Sequence, residues 1–549
     1  MRSNQNRRAL RSHGSTFCVL CAVAFTYATR APAQTSEGQP DPGPGLSGPG
    51  LVYANDVERA AAASNDLVFR TLDPQCNPNG VLDQIPSPTY GDISALGTGA
   101  PFGQAGPGPL CTPDAFFVYL NARELYQTAN ELQGQGPTAA SLGLDQQGLG
   151  TALRWTAAEE LSAQGSMATQ FANSQLSTLA ARLSALRFGT TGFTTTGLYD
   201  WRGVASPLLA QSDDASSAGT APASDTAVEH YSPWGGFLNY GYGYGDKAPT
   251  AREDAFDFDG SEYTLGADYR LPRNMVVGGI VGATRQGIDF DPTASEISVV
   301  DGDVRSDGKS FMVFAMAQGE RLTLSGSVGV QSIDYVIHRD IKYPSFNPDT
   351  ESIYSIARST PSADVLTSTF GFAYAFSWNK FTLEPTFDVE ALDVDIGAFS
   401  EARSINLLSD TNQSRRFDLA VSKQSITSVK TSAGFRAQYV VTPRFGVLVP
   451  YFSLRAQHEF RNGTRTISSG YAALADVLGT ATFELPTDAP DRSYFTVSAG
   501  VSTVIRGGRQ RKAGGPIAGG ISAFLQFATE QNREPYDDRF LTAGFRYEF

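Results

Sequence analysis

The sequence predicts an outer-membrane-type all-β transmembrane barrel of about twelve antiparallel strands, preceded by a small α-helical region. Three observations carry that prediction. The chain ends on LTAGFRYEF, where Leu541, Ala543, Phe545, Tyr547 and Phe549 share one face of a strand and Thr542, Gly544, Arg546 and Glu548 share the other, because side chains alternate with period two. From residue 233 onward, strand-like segments are separated by breaks rich in Gly, Asp, Asn and Pro. Those breaks alternate between short and long, as periplasmic turns and external loops do in such barrels.

At 549 residues the chain has room for several domains, or for one large barrel with an added region. Its 55 Gly, 34 Phe and 22 Tyr, set against 5 Met, suit strands, turns and aromatic belts better than helical packing. A formal net charge of −14 argues against a nucleic-acid partner, since phosphate binding needs clustered Lys and Arg.

Arg2, Arg7, Arg8 and Arg11, an apolar run from Phe17 to Tyr27 and the small-residue site Ala31-Pro32-Ala33 mark residues 1–33 as a secretory signal peptide. Cys18 and Cys21 fall inside it. The mature chain keeps Cys76 and Cys111, and a lone pair in an oxidising compartment is most simply a disulfide. Beyond the signal no apolar run is long enough for a transmembrane helix.

Residues 34–205 read as an exported helical region. A Gly/Pro-rich lead (34–50) precedes helical patterns over Asn55–Phe69 and Pro113–Leu132, with a Gly/Pro-rich loop, Asp73–Pro109, between them. The most regular pattern is Ala152–Arg187, whose stripe runs through Leu161, Gly165, Ala168, Ala172, Leu176, Leu179, Leu183 and Leu186. Two readings stay open for it. It packs on the preceding helices as a bundle or coiled coil, or it passes through a barrel lumen, where Glu159, Glu160, Arg182 and Arg187 would meet polar residues. Residues 206–232 have the Ser/Ala/Asp character of a linker and set the boundary to a barrel at 233–549.

The strands predicted are Pro233–Tyr244, Gly260–Tyr269, Met275–Arg285, Ser310–Ala317, Leu322–Val336, Val365–Ser377, Phe381–Leu392, Ser428–Val441, Phe445–Phe460, Ser493–Ile505, Pro516–Ala528 and Phe540–Phe549. In Phe381–Ala391 the odd positions are apolar and Glu384 and Asp388 lie on the opposite, pore-facing side. Arg455 takes the same place around Leu448–Phe460, and Arg546 and Glu548 do so in the last strand. Lys or Arg on a lipid face would cost about 2–4 kcal/mol at the midplane. In the first strand Gly241 and Gly243 face the pore opposite Tyr240, Tyr242 and Tyr244; such a wall either admits a helix closely or eases curvature. Pro385 and Pro450 each remove a ladder donor, so each requires a bulge or a strand end. Long breaks are expected at Gln286–Lys309, Ile337–Asp364, Asp393–Thr427 and Arg461–Arg492.

YTLGADYRL…VVGGIVGATR (Tyr263–Arg285), FTLEPTFDVEALDVDIGAFSE (Phe381–Glu401), LVPYFSLRAQHEF (Leu448–Phe460) and the terminal FRYEF resemble the C-terminal β-domain of autotransporters, the monomeric type V secretion proteins. The resemblance spans 234–549. It implies a twelve-stranded barrel in the outer membrane of a Gram-negative bacterium, with a helix in its pore, in contact with membrane lipid and lipopolysaccharide. It also implies assembly by the Bam machinery, with Phe545, Tyr547 and Phe549 as the assembly signal. The chain departs from the family in two respects: residues 188–232 separate the third helix from the first strand, and the region before the barrel is short.

No catalytic signature accompanies these features. His230, His338 and His458 lie near no nucleophile-elbow serine, and no HExxH occurs. The acidic stretch Asp301–Gly308 has Arg305 at a calcium-ligand position and reads as a solvated external loop. No metal site, cofactor or enzymatic activity is therefore expected. The function expected is an outer-membrane barrel that anchors and translocates a short helical passenger, which would lie in the periplasm or at the cell surface. The alternatives are a channel gated or plugged by its helix, and an adhesin or enzyme of unrecognised activity.

Overall fold

Each helix of the N-terminal region starts on a capping residue. Asn55 accepts the Glu58 backbone N–H at 2.8 Å and opens α1 (Asp56–Cys76), while the Glu58 carboxylate reaches back to the Ala54 N–H at 2.7 Å. Thr112 caps α2 (Pro113–Gln133), which has Pro in its first turn and ends on Gly134 at φ 66°. Asp145 caps α3 (Gln146–Ala157), and Ala158 ends it at φ 59°.

The predicted helix over 152–187 is thus two pieces. It begins earlier, at Gln146, and breaks at Ala158 because that residue takes a left-handed conformation. A 3-10 turn, Glu159–Ser162, follows, and helix resumes over 163–170, with helical geometry again at 173, 175, 176 and 179. The first piece packs on α1 and α2, as the bundle reading expected. The second enters the barrel, as the lumen reading expected.

The computed structural model describes residues 41–91, 107–170, the positions 173, 175, 176 and 179, and 233–548 apart from 273, 295–297, 403, 405–406, 409–416, 444–445, 481, 490, 507–508, 511–516 and 519. The expected signal peptide, the 206–232 linker, Arg182, Arg187 and Phe549 lie outside the described residues, as does the side chain of Glu548. Residues 39–549 form one compact unit.

Twelve strands go round the barrel: β1 (Trp234–Lys247), β2 (Phe256–Leu271), β3 (Met275–Phe290), β4 (Gly302–Gln318), β5 (Leu322–Tyr343), β6 (Ser362–Tyr374, prolonged by Phe376–Trp378), β7 (Phe381–Ile396), β8 (Gln424–Tyr439), β9 (Val447–Glu459), β10 (Ser493–Arg506), β11 (Ile521–Gln531) and β12 (Tyr536–Glu548). The short strand Ile353–Ser359 pairs with β5, off the ring, and is bridged to Ala402 through Arg358. Each strand pairs antiparallel with the next, and the last closes on the first, placing Phe545 opposite Leu238 and Arg546 opposite Phe237. Pro385 sits where pairing with β6 is interrupted between Ala373 and Phe376. Pro450 lies just past the last pair with β8, Gln438 opposite Tyr451. Each missing N–H therefore faces a gap in the ladder.

The strands run further toward the long-loop end than the sequence pattern predicted, and β5 shows why. Leu322, Leu324, Val328 and Val330 face outward and are exposed, with Thr323, Ser325, Ser327 and Gln331 buried inside. Past Gln331 the two faces exchange character. Ile333, Tyr335, Ile337, Ile341 and Tyr343 are buried inside, and Ser332, Asp334, His338 and Asp340 face outward. The same inversion occurs on β7, where Leu392, Val394 and Ile396 point inward and Asp393 and Asp395 outward. Hydrocarbon requires an apolar outside only over its own thickness. Beyond it the sheet continues as a collar, polar outside and apolar inside.

Parts of the expected loops are therefore strand. In particular Asp301–Gly308 is not a loop: it opens β4, and its outward Arg305 pairs with Asp289 at 2.5 Å and Asp303 at 3.5 Å. At the short-turn end a belt of exposed aromatics includes Trp234, Phe376, Trp378, Phe381 and Tyr439, with half-buried Tyr269 against Trp234.

Cys76, at the end of α1, is joined to Cys111, just before α2, with Cα atoms 5.2 Å apart. Replacing both by serine releases a chain closure of sequence separation 35. That variant is expected to lose about 3–4 kcal/mol of stability in the N-terminal region, read from the urea midpoint of its protease resistance.

Candidate functional site in the lumen and its mouth

The collar turns its apolar inner face toward the N-terminal helices, and the two share one core. Val68, Leu72, Leu125, Leu149, Leu153 and Leu161 belong to the same buried cluster as Phe256, Ile288, Ile333, Ile337, Ile341, Val394 and Ile396. Two long loops complete the seat. Leu419–Val421 and Phe399–Ser400 from one, with Thr466–Tyr471 and Phe483–Pro486 from the other, form a four-stranded sheet. This sheet packs on α1, and Tyr471 donates its hydroxyl to the Asn65 side chain at 2.9 Å.

Buried charge pairs stand on both sides of this interface, and Arg154 with Asp254 crosses it. Arg154 of α3 makes a two-point pair with Glu159 at 2.7 and 2.9 Å and reaches Asp254 of the β1–β2 loop at 3.3 Å. Asp254 also accepts the Val299 and Val300 backbone N–H groups. Arg339 of β5, fully buried, grips Glu401 at 2.9 and 2.6 Å and donates to the carbonyls of Trp155 and Phe417. Buried ions persist only when paired and hydrogen-bonded in this manner.

Glu159 and Glu160, expected on a pore helix, instead occupy the 3-10 turn at the mouth, because the break at Ala158 turns them into the seat. Burial pushes the Glu160 carboxyl well above the usual range; Arg339 opposes that shift, and Glu159 and Glu401 add to it. Burial raises Asp418 to about 6.

Below the turn, the helix is tied to the lumen wall. Ser162 O accepts from the Arg465 guanidinium at 3.2 Å, and a Cβ on Gly165 would meet that guanidinium at 1.9 Å, so a larger residue there would displace the Arg465 side chain. Ser166 bonds Tyr536 at 3.0 Å, Lys430 reaches Asn173 at 3.3 Å, and Ser310 donates to Gln175 at 2.9 Å. Leu176 and Leu179 pack with Phe237, Val276, Ile280, Met312, Phe314 and Met316 near the short-turn end. The helix therefore descends from the long-loop mouth toward the end where β1 begins.

Of the residues predicted to face the pore, Glu384 is buried inside, Asp388 pairs with Arg455 at 3.3 Å, and Arg546 pairs with Asp268 at 3.1 Å. Gly241 and Gly243 line a cavity beside Met167 and Gln170 rather than touching the helix. Phe545 is exposed on the outer face, and Tyr547 is half-buried. Sequence reading missed Arg154, Arg339, Asp254 and Glu401. The available signal was a charge on the inner face of a strand segment whose inner neighbours are apolar, as Arg339 stands among Ile337 and Ile341. Among the described residues no group of His, Cys, Asp and Glu is arranged to hold a metal ion.

The family model for the autotransporter beta-domain matches residues 236–509. No curated protein matches the sequence. Among solved structures, the translocator domain of autotransporter NalP from Neisseria meningitidis is 11% identical, with a TM-score of 0.41, over 58% of this chain and 89% of that one. The beta domain of the Bordetella autotransporter Brka is 15% identical, with a TM-score of 0.36, over 57% of this chain and 99% of that one. The transport unit of AIDA-I from Escherichia coli is 12% identical, with a TM-score of 0.35, over 60% and 93%.

The folded value of Glu160 stands above its unfolded one, so folding takes up a proton and the seat loses stability as pH rises from about 4.3 toward that raised value. Glu160→Gln is expected to raise the urea midpoint at about pH 8, with the difference closing near about pH 4. Protease release of the N-terminal region gives the readout.

Proposed function

We infer from the membership of its barrel in the autotransporter β-domain family that the chain is an outer-membrane component of type V secretion in a Gram-negative bacterium. We propose that it carries its own short N-terminal region through the barrel and keeps it, as a cap seated in the collar on the outer side of the membrane. The barrel is a transport unit and not a catalyst.

The observation that carries this reading is the direction of the lumen helix. Its start is bound at the long-loop mouth through Ser166 and Tyr536, and its later positions Leu176 and Leu179 lie near the short-turn end, where β1 begins. A chain entering from the short-turn side would leave this arrangement behind, with everything before residue 163 beyond the mouth. The shared core and the charge pair across it supply the retention: releasing the region would expose Leu161, Ile333 and Ile337 and part Arg154 from Asp254. On the same reading, the outward aromatics Phe545 and Tyr547, together with the sequence's Phe549, are what the Bam machinery recognises.

Val52, 77% exposed on the N-terminal region, gives the test. In Val52→Cys, a membrane-impermeant maleimide is expected to label intact cells as fully as lysed ones; labelling only after lysis would overturn the surface location.

A further inference from the structure

The lumen helix does not fill the barrel. Leu176, Leu179 and Gln175 lean on the wall made by β1, β3 and β4. The other wall carries charges of both signs, among them Glu384, Glu390, Lys430, Arg436 and Arg455, and between it and Asn173 and Leu176 lies a cavity of about 130 Å³. On the same side a second, smaller cavity, of about 30 Å³, lies toward the long-loop mouth, between Gly165, Ser166 and Thr169 of the helix and Arg465, Thr487 and Asp488.

Arg533 stands between the two. It lines the upper cavity, while Glu530, one turn of loop away, lines the lower. Its guanidinium donates to Glu530 at 2.8 Å and to Asp538, and it lies over the rings of Tyr494 and Tyr536 at 5.3 and 5.2 Å. The Tyr536 hydroxyl bonds Ser166, so the partition spans from wall to helix. One cation held by two carboxylates and two rings makes a plug of side chains with no backbone in it. Side chains change rotamer without unfolding anything.

We propose that the two cavities are halves of one water-filled passage for small inorganic ions running beside the helix, and that Arg533 is its gate. The lining sets no strong preference for sign, because Lys430, Arg436, Arg455 and Arg465 are matched by Glu384, Glu390, Glu530 and Asp488. Opening needs only that the Arg533 side chain swing away; the helix and the N-terminal cap stay where they are. The passage does not depend on which side of the membrane the N-terminal region occupies, so its test is separate from that of the function above.

The test is single-channel conductance of the full-length protein in planar bilayers bathed in potassium chloride. Removing the guanidinium in Arg533→Ala is expected to raise conductance at least about threefold, and Tyr494→Ala, which removes one face of the partition, to raise it in the same direction. Heat-modifiable migration shows that each variant is a folded barrel, and slow hydrogen exchange over 163–170 shows that the helix is still in place. Parental conductance in both folded variants would overturn the proposal. So would a rise accompanied by loss of protection over 163–170, because the current would then come from an emptied lumen.

Discussion

The pairing of β12 with β1 removes the two edges that a twelve-stranded sheet would otherwise present to hydrocarbon, where no water is available to satisfy an open N–H or C=O. Once that ring is closed, the outward face must be apolar over the thickness of the bilayer, and the inward face must find other partners. Ser, Thr and Gly cover part of the lumen wall, and Asp268 with Arg546 and Asp388 with Arg455 neutralise one another across strands. The helix takes the remaining space unevenly and leaves cavities between itself and the wall.

Beyond the bilayer the same strands carry a different load. Their faces exchange character, so that Ile333, Tyr335 and Ile337 require something apolar inside the ring. The N-terminal helices meet that requirement, packed on one another and on the collar in one core. Neither the collar nor the helical region would be stable in water with its apolar face uncovered. Arg339 with Glu401 and Arg154 with Glu159 and Asp254 fix how the two surfaces meet. Such buried pairs add little net stability over apolar packing, and breaking one is costly. Their effect is on which arrangement is allowed.

Much of the barrel was legible in the sequence because lipid imposes a simple rule. Alternation with an uncharged outer face marked all the strands, and Pro385 and Pro450 announced interruptions that the ladder contains. The rule stops at the edge of the hydrocarbon, which is why the predicted strands stopped near Val336 and Leu392 while β5 and β7 continue to Tyr343 and Ile396. Past that edge a strand with an apolar inside looks like a loop with scattered isoleucines, and Asp301–Gly308 was read accordingly. The break at Ala158 was illegible for another reason: an alanine at positive φ has no local signature, since the surrounding packing imposes it. Without that break Glu159 and Glu160 fall on a pore helix; with it they belong to the mouth.

On the function proposed above, the isoleucine-lined collar and the helix in the lumen hold the exported region in place. That account depends first on the helix lying inside the ring in the register described, with Gln175 against Ser310. The most direct measurement is disulfide formation between Gln175→Cys and Ser310→Cys in outer membranes from growing cells. The account predicts a cross-link in the assembled, heat-modifiable barrel, seen as a mobility shift reversed by reductant. An assembled barrel in which those two cysteines stay free under oxidant would contradict it.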